Sequence, residues 1–166
     1  MRIGPLYDKT CAPLLSIDNT EITMVSELRY LGVFFLAART FRVSLEKAKR
    51  SFNRATNSLL SRLQGTATED VLLHMIRSKS LPILLFALES VKLPLSAIRS
   101  LDFCVIRFAM KVLRSSNRDM VLSCLDYFDF KLPSELIPMR KEKFERAFSN
   151  IDNVLCAVCA QSQQSV

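Results

Sequence analysis

Glycine is scarce in this sequence: three in 166 residues, at positions 4, 32 and 65. Average usage is roughly 7%, so almost every segment is free to be helical. Glycines so far apart also draw no phosphate-cradling loop. Tryptophan is absent and histidine occurs once, as His74 between Leu73 and Met75. One histidine leaves Ser–His or Cys–His nucleophilic chemistry a single candidate base with no partner marked by spacing, and a structural or surface place in a helix is the preferred reading. The five cysteines are odd in number and irregular in spacing, which argues against a secreted disulfide scaffold. Cys156 and Cys159 form a CxxC, but a structural zinc site needs four ligands. Without a second pair they read as small apolar residues of a terminal helix.

Long apolar runs are missing too. The greasiest stretch, Leu81 to Leu88, is interrupted by Pro82 and is far short of the ~20 residues that cross a bilayer. Met1 and Arg2 lead straight to Gly4 and Pro5 with no apolar signal region behind them. The expectation is an intracellular protein, nuclear or cytoplasmic and not secreted, with no membrane partner. What is abundant is apolar residues, 49% of the chain, and positive charge: 23 Lys and Arg meet 16 Asp and Glu, a net +7. The first supports a core; the second suits a polyanion, though many solvated surfaces carry as much.

Along the chain the pattern changes once. Pro13 to Ile17 and Thr20 to Val25 are short apolar-leaning segments joined by Asp18-Asn19, a pair suited to a hairpin turn. Leu28 to Ala37, with Gly32 inside it, reads as a third strand. From Ser44 the period becomes helical. Ser44 as N-cap and Gly65 as C′ residue bracket one helix of about twenty residues. Thr66 and Glu69 suggest a capping box for the next, which runs to Ser80, where Pro82 ends or kinks it. Pro82 to Val91 reads as a short helix closed by Pro94, and Ser96 to Leu113 as a long one. Ser116 and Asp119 suggest a capping box for a helix ending near Phe128. A charged helix follows from Pro133 or Pro138 to Asn150, and Gln161 to Val166 reads as a frayed tail. The fold class is mainly α, a small N-terminal antiparallel hairpin or sheet followed by a helical bundle.

The Ser44–Gly65 helix is the most informative. Leu45, Ala48, Phe52, Ala55, Leu59 and Leu63 form one apolar stripe. Lys47, Arg50, Arg54, Asn57 and Ser61 fall together opposite it, and the one acid, Glu46, stands in the first turn where the helix dipole favours it. An ordinary solvated face mixes signs in pairs four apart. This rail of cations and small polar donors suits tracking phosphates without reading bases; the plainer alternative is a surface that serves only solubility. The Ser96–Leu113 helix repeats the theme more weakly, with Ser100, Arg107, Lys111 and Arg114 on one narrow face. Two-metal phosphoryl chemistry needs converging carboxylates, and the chain has no Asp-Asp dipeptide. Tyr127-Phe128-Asp129-Phe130 lacks the second aspartate of a polymerase YxDD box and reads as packing.

The order of these pieces resembles a known family. The hairpin, then Val25, Glu27, Leu28, Arg29, Tyr30, Leu31, Gly32 and Val33, then Ser44 to Phe52, looks like the end of a reverse transcriptase of non-LTR (LINE-like) retrotransposons. Ser78 to Glu89 resembles that family's thumb segment, with Phe86-Ala87 where Tyr-Gly is common. Leu101-Asp102-Phe103, Arg107-Phe108 and Leu132-Pro133-Ser134 are similar as well, so the resemblance spans roughly residues 1 to 148. It implies an RNA-directed DNA polymerase fragment: 1–40 as the end of the palm with the primer-grip strand, 44–115 as the helical thumb, and 116–166 as a helical extension. It places Tyr30, Leu31 and Gly32 near the primer end. An RNA or RNA–DNA template–primer duplex would lie against Lys47, Arg50, Arg54, Asn57, Ser61, Arg107 and Lys111.

The resemblance further implies that the catalytic aspartates, with the fingers and most of the palm, precede Met1, so that the chain is a truncated or decayed copy of an element, or a piece cut from a longer reading frame, and inactive alone. It expects no cofactor in this chain (Mg²⁺ only in the complete polymerase), no small-molecule substrate, and the missing palm and fingers as partners. Read from the residues alone, Gly32 is a strand glycine where another backbone approaches, and Tyr30 and Leu31 are sheet core. The rival reading is a helical protein-interaction module or a remnant of an element without present function.

Overall fold

The computed structural model describes residues 1–9, 12–63, 65–151 and 153. Cys156, Cys159 and the tail from Gln161 lie outside the described residues. The chain is mainly helical, with a small antiparallel sheet region at the N-terminus and helices after it. It divides into two compact units, Met1–Lys47 and Ala48–Val166.

In the first unit, β1 (Leu14–Leu15) pairs antiparallel with β2 (Glu21–Ile22). Asn19 takes the left-handed turn position expected of it, at φ 58°. The run from Leu28 to Ala37 is not one strand but two. β3 (Glu27–Tyr30) and β4 (Val33–Leu36) form a hairpin in which Tyr30 faces Val33 across a two-residue loop. Leu31 (φ 46°) and Gly32 (φ 83°) make that loop. Positive φ at both positions belongs to a type I′ turn, whose twist matches that of the strands it joins. Gly32 is therefore a turn glycine, and Tyr30 and Leu31 are exposed instead of forming sheet core. β5 (Arg42–Val43) adds to the free edge of β4. No described side chain of this unit is buried.

The second unit holds the core. α1 (Glu46–Leu63) buries Phe52, Thr56 and Leu60. Gly65, at φ 96°, follows it as expected of a C′ glycine. The next helix does not use the Thr66–Glu69 capping box. Its N-cap is Thr68, while the Thr66 hydroxyl donates to the Leu63 carbonyl (3.2 Å) and helps close α1. α2 (Glu69–Met75) then opens into a π-helical stretch, Ile76–Ser80, and continues as α3 (Leu81–Leu84). Pro82 neither ends the path nor breaks it. A proline removes one N–H and presses on the carbonyl four residues back, and the widened turn ahead of it absorbs both demands. The helix expected over 82–91 is cut short: Ala87 turns left-handed at φ 58°, a single 3₁₀ turn covers Leu88–Ser90, and Val91 is extended.

α4 (Leu95–Val112) is the central helix, burying Leu101, Val105, Ile106, Phe108, Ala109 and Val112 and packing against α2. It also packs on α5 (Arg118–Tyr127) and α6 (Pro133–Ser149). The last two helices thus belong to the same compact unit as α4. The cap of α5 is Asn117, not Ser116: its Oδ1 accepts from the N–H groups of Asp119 (3.0 Å) and Met120 (3.2 Å). One residue's shift puts a side-chain oxygen directly over those orphan donors. α6 begins at Pro133, the first helical position, where a missing N–H costs nothing. Leu132 precedes it with no capping oxygen of its own, and Asp102 of α4 supplies one, accepting from the Ser134 N–H (2.9 Å). Arg140 of α6 pairs with Glu89 (3.4 Å).

Candidate nucleic-acid interface

α1 presents two faces because its residue types demand it. Phe52 is fully buried and meets Phe108 of α4 edge-on, ring centroids 6.2 Å apart. Thr56 is buried beside it, at no polar cost, since its hydroxyl donates to the Phe52 carbonyl (2.7 Å). The buried line of Phe52, Thr56 and Leu60 is turned slightly from the stripe expected through Ala55 and Leu59, which are half-buried.

On the other side Arg50, Arg54, Asn57 and Ser61 are all exposed. Lys47, expected to start this rail, is committed elsewhere. Its ammonium pairs with Glu27 of β3 at 3.3 Å and stands over the Phe34 ring of β4, 3.6 Å from the centroid. A cation held by a carboxylate and a ring face offers little to a phosphate, so the rail proper runs from Arg50.

α4 runs alongside α1 in the same direction: the Lys49 ammonium donates to Ser100 Oγ (2.8 Å) near their starts, and the Lys111 ammonium to Asn57 Oδ1 (3.4 Å) further on. Ser100 is thereby drawn inward and leaves the basic face. Between the helices lies an open groove of about 250 Å³ whose walls include Asn53 and Asn57 from α1 and Phe103, Arg107 and Lys111 from α4. The structure thus brings together Asn57, Arg107 and Lys111, placed on two separate helices by the sequence. Arg54 stands one turn or less from Asn53 and Asn57 on the same exposed side of α1. Among the described residues no carboxylate pairs with Arg50, Arg54, Arg107 or Lys111.

No protein-family model, curated protein or solved structure matches the chain.

Two wall residues, Asn53 and Phe103, were not singled out by the sequence. In the sequence Phe103 stands only within the Leu101-Asp102-Phe103 segment that carries the resemblance. The available signal was spacing: Phe103, Arg107 and Lys111 are four residues apart and share one side of a helix. At the β3–β4 hairpin, Tyr30 is 61% and Leu31 77% exposed, so both side chains at the tip face solvent. His74 is exposed on α2. The described residues hold no group of three His, Cys, Asp or Glu side chains fit for a metal ion, and no helix long and apolar enough to cross a membrane.

Proposed function

We propose that this chain is a duplex-holding part of a reverse transcriptase of the non-LTR retrotransposon kind, joining the last palm strands to the thumb. The observation that carries the reading is the convergence of Arg107 and Lys111 with Asn57 in a groove beside Arg50 and Arg54, with no acid among the groove walls. Such a surface attracts phosphates through charge and hydrogen bonds and carries no base-reading element.

Three local features favour the resemblance as well. Leu31-Gly32 forms a tight hairpin turn where the family has its primer-grip hairpin. Ala87 adopts the left-handed conformation at the position where the family commonly has glycine. Asp102 and Ser134, from two of the segments that carry the resemblance, are hydrogen-bonded to each other. In this reading the residues present grip and orient a template–primer duplex, and nucleotidyl transfer belongs to carboxylates supplied by the rest of the polymerase.

The test is binding of an RNA–DNA hybrid by fluorescence anisotropy over a salt series. Weak, sequence-independent binding is expected, its log–log salt slope falling by about one unit for each phosphate contact removed. Arg50→Glu with Arg54→Glu should abolish most of it. Lys141→Glu with Lys143→Glu, on the mixed-charge outer part of α6, should leave it nearly unchanged. Equal losses from both pairs would show a response to bulk charge and sink the reading. A protein-interaction module remains the second reading, favoured by the apolar side chains that the first unit leaves exposed, Leu14, Leu15, Ile17 and Leu28 among them.

A further inference from the structure

We infer that the α1–α4 groove takes a single unpaired nucleotide at the edge of the bound duplex, its base lying on the Phe103 ring and its phosphate on Arg107 and Lys111. This rests on the duplex-holding reading and adds to it a subsite for an unstacked base.

Phe103 is the oddity that points there. The neighbouring aromatic on the same helix, Phe108, is buried in the core, whereas Phe103 is 55% exposed and forms part of the groove wall. From Phe103 to Arg107 to Lys111 the helix advances about 6 Å at each step. A flat apolar surface is thus followed along one groove by two cations. Aromatic rings take up unpaired bases by stacking whatever the base, and cations beside them hold the backbone.

The facing wall fits the same ligand. Asn53 and Asn57 each carry a carbonyl oxygen and an NH₂ group, so between them they can answer the donors or the acceptors on a base edge. The Asn57 oxygen already accepts from the Lys111 ammonium, which leaves its NH₂ to donate into the groove. A volume of about 250 Å³ lies just below the range of sites for drug-sized molecules, roughly 300–1,000 Å³. It has room for one ring system. With no carboxylate on its walls the groove is also unsuited to a cationic ligand.

Four RNA–DNA hybrids test this with the full chain: blunt, with a three-nucleotide overhang, with that overhang made abasic, and with 2-aminopurine in the overhang. The overhang should bind about tenfold tighter than the blunt hybrid, the size typical of one stacked base, and the abasic overhang should fall back to the blunt value. 2-Aminopurine fluorescence should change on binding. Phe103→Ala should remove the overhang's advantage over the blunt hybrid, and Phe103→Tyr should retain it. Asn53→Leu, on the opposite wall, should also reduce the advantage. Equal affinity for intact and abasic overhangs, with blunt binding present, overturns this inference alone. Failure to bind any hybrid overturns it together with the duplex reading. A Glu-rich peptide that binds more tightly than any overhang, and is lost with Arg107→Glu, assigns the groove to a protein partner instead.

Discussion

With so few glycines, the chain turns its corners with other residues. Asn19, Leu31, Ala87, Arg114 and Asp129 all have positive φ, and only Asn and Asp visit that region readily. Two of the five close helices. After α4, Arg114 takes the C′ position and the Ser115 N–H reaches back to the Met110 carbonyl (3.1 Å). After α5, Asp129 does the same, with Phe130 bonding to Leu125 (2.8 Å) while their apolar side chains are both buried. These are Schellman closures, where glycine is the usual occupant. A left-handed non-glycine costs about 1–2 kcal/mol, partly offset by the lower entropy of its unfolded form. Arg114→Gly and Ala87→Gly are each expected to stabilise the chain by up to about 1 kcal/mol, raising Tm by about 2–4 °C. Thermal denaturation followed by circular dichroism reads the shift; a fall in Tm for both would mean that the turns are not strained.

At the scale of elements, the helices depend on one another for their ends. α6 is preceded by a leucine that cannot cap it, and the acceptor for the Ser134 N–H comes from Asp102, thirty-two residues earlier on α4. Glu135 completes the arrangement by accepting from the Leu132 N–H (3.2 Å). Asp102→Ala is expected to cost about 1 kcal/mol, the usual worth of an N-cap acceptor, and to speed amide exchange at Ser134. Asp102→Asn, which keeps an acceptor, should recover most of it. α1 is held chiefly by Phe52, which is fully buried. Phe52→Ala should cost about 3–5 kcal/mol and detach the wall that carries Asn53 and Asn57. Urea unfolding measures the first effect, and loss of duplex binding at intact charge measures the second.

At the scale of the molecule, every buried side chain among the described residues lies between Phe52 and Ile137, and the unit from Met1 to Lys47 contributes none of them. That unit instead exposes large apolar residues on its short strands and the turns between them, including Ile17, Tyr30, Leu31 and Phe41. Short strands without a covered apolar face hold their hydrogen bonds weakly. Amides of residues 12–43 should therefore exchange much faster than those of α4. Removing residues 1–44 should leave the cooperative unfolding of the helical unit intact and lower self-association measured by light scattering. Slow exchange throughout β3 and β4 in a monomer would contradict this.

Local interactions were legible in the sequence because their partners are close along the chain. The change from strand to helical period near residue 44, the Asp18-Asn19 turn, Gly65 after α1 and the cationic side of α1 all follow from neighbours within about four residues. The hairpin hidden in Leu28–Ala37 was missed because leucine is a poor marker of a positive-φ turn. Thr56 was missed because burying a hydroxyl requires an acceptor, and that acceptor is a backbone carbonyl formed only with the helix. What the tertiary structure alone decided is the pairing of distant groups. Lys47 is drawn off the rail by Glu27 and Phe34, Arg140 is claimed by Glu89, and Asp102 caps α6. Phe103 lies in a groove with Arg107 and Lys111 because α4 lies beside α1, and helical periodicity sets which side of a helix is apolar but not which helix that side meets.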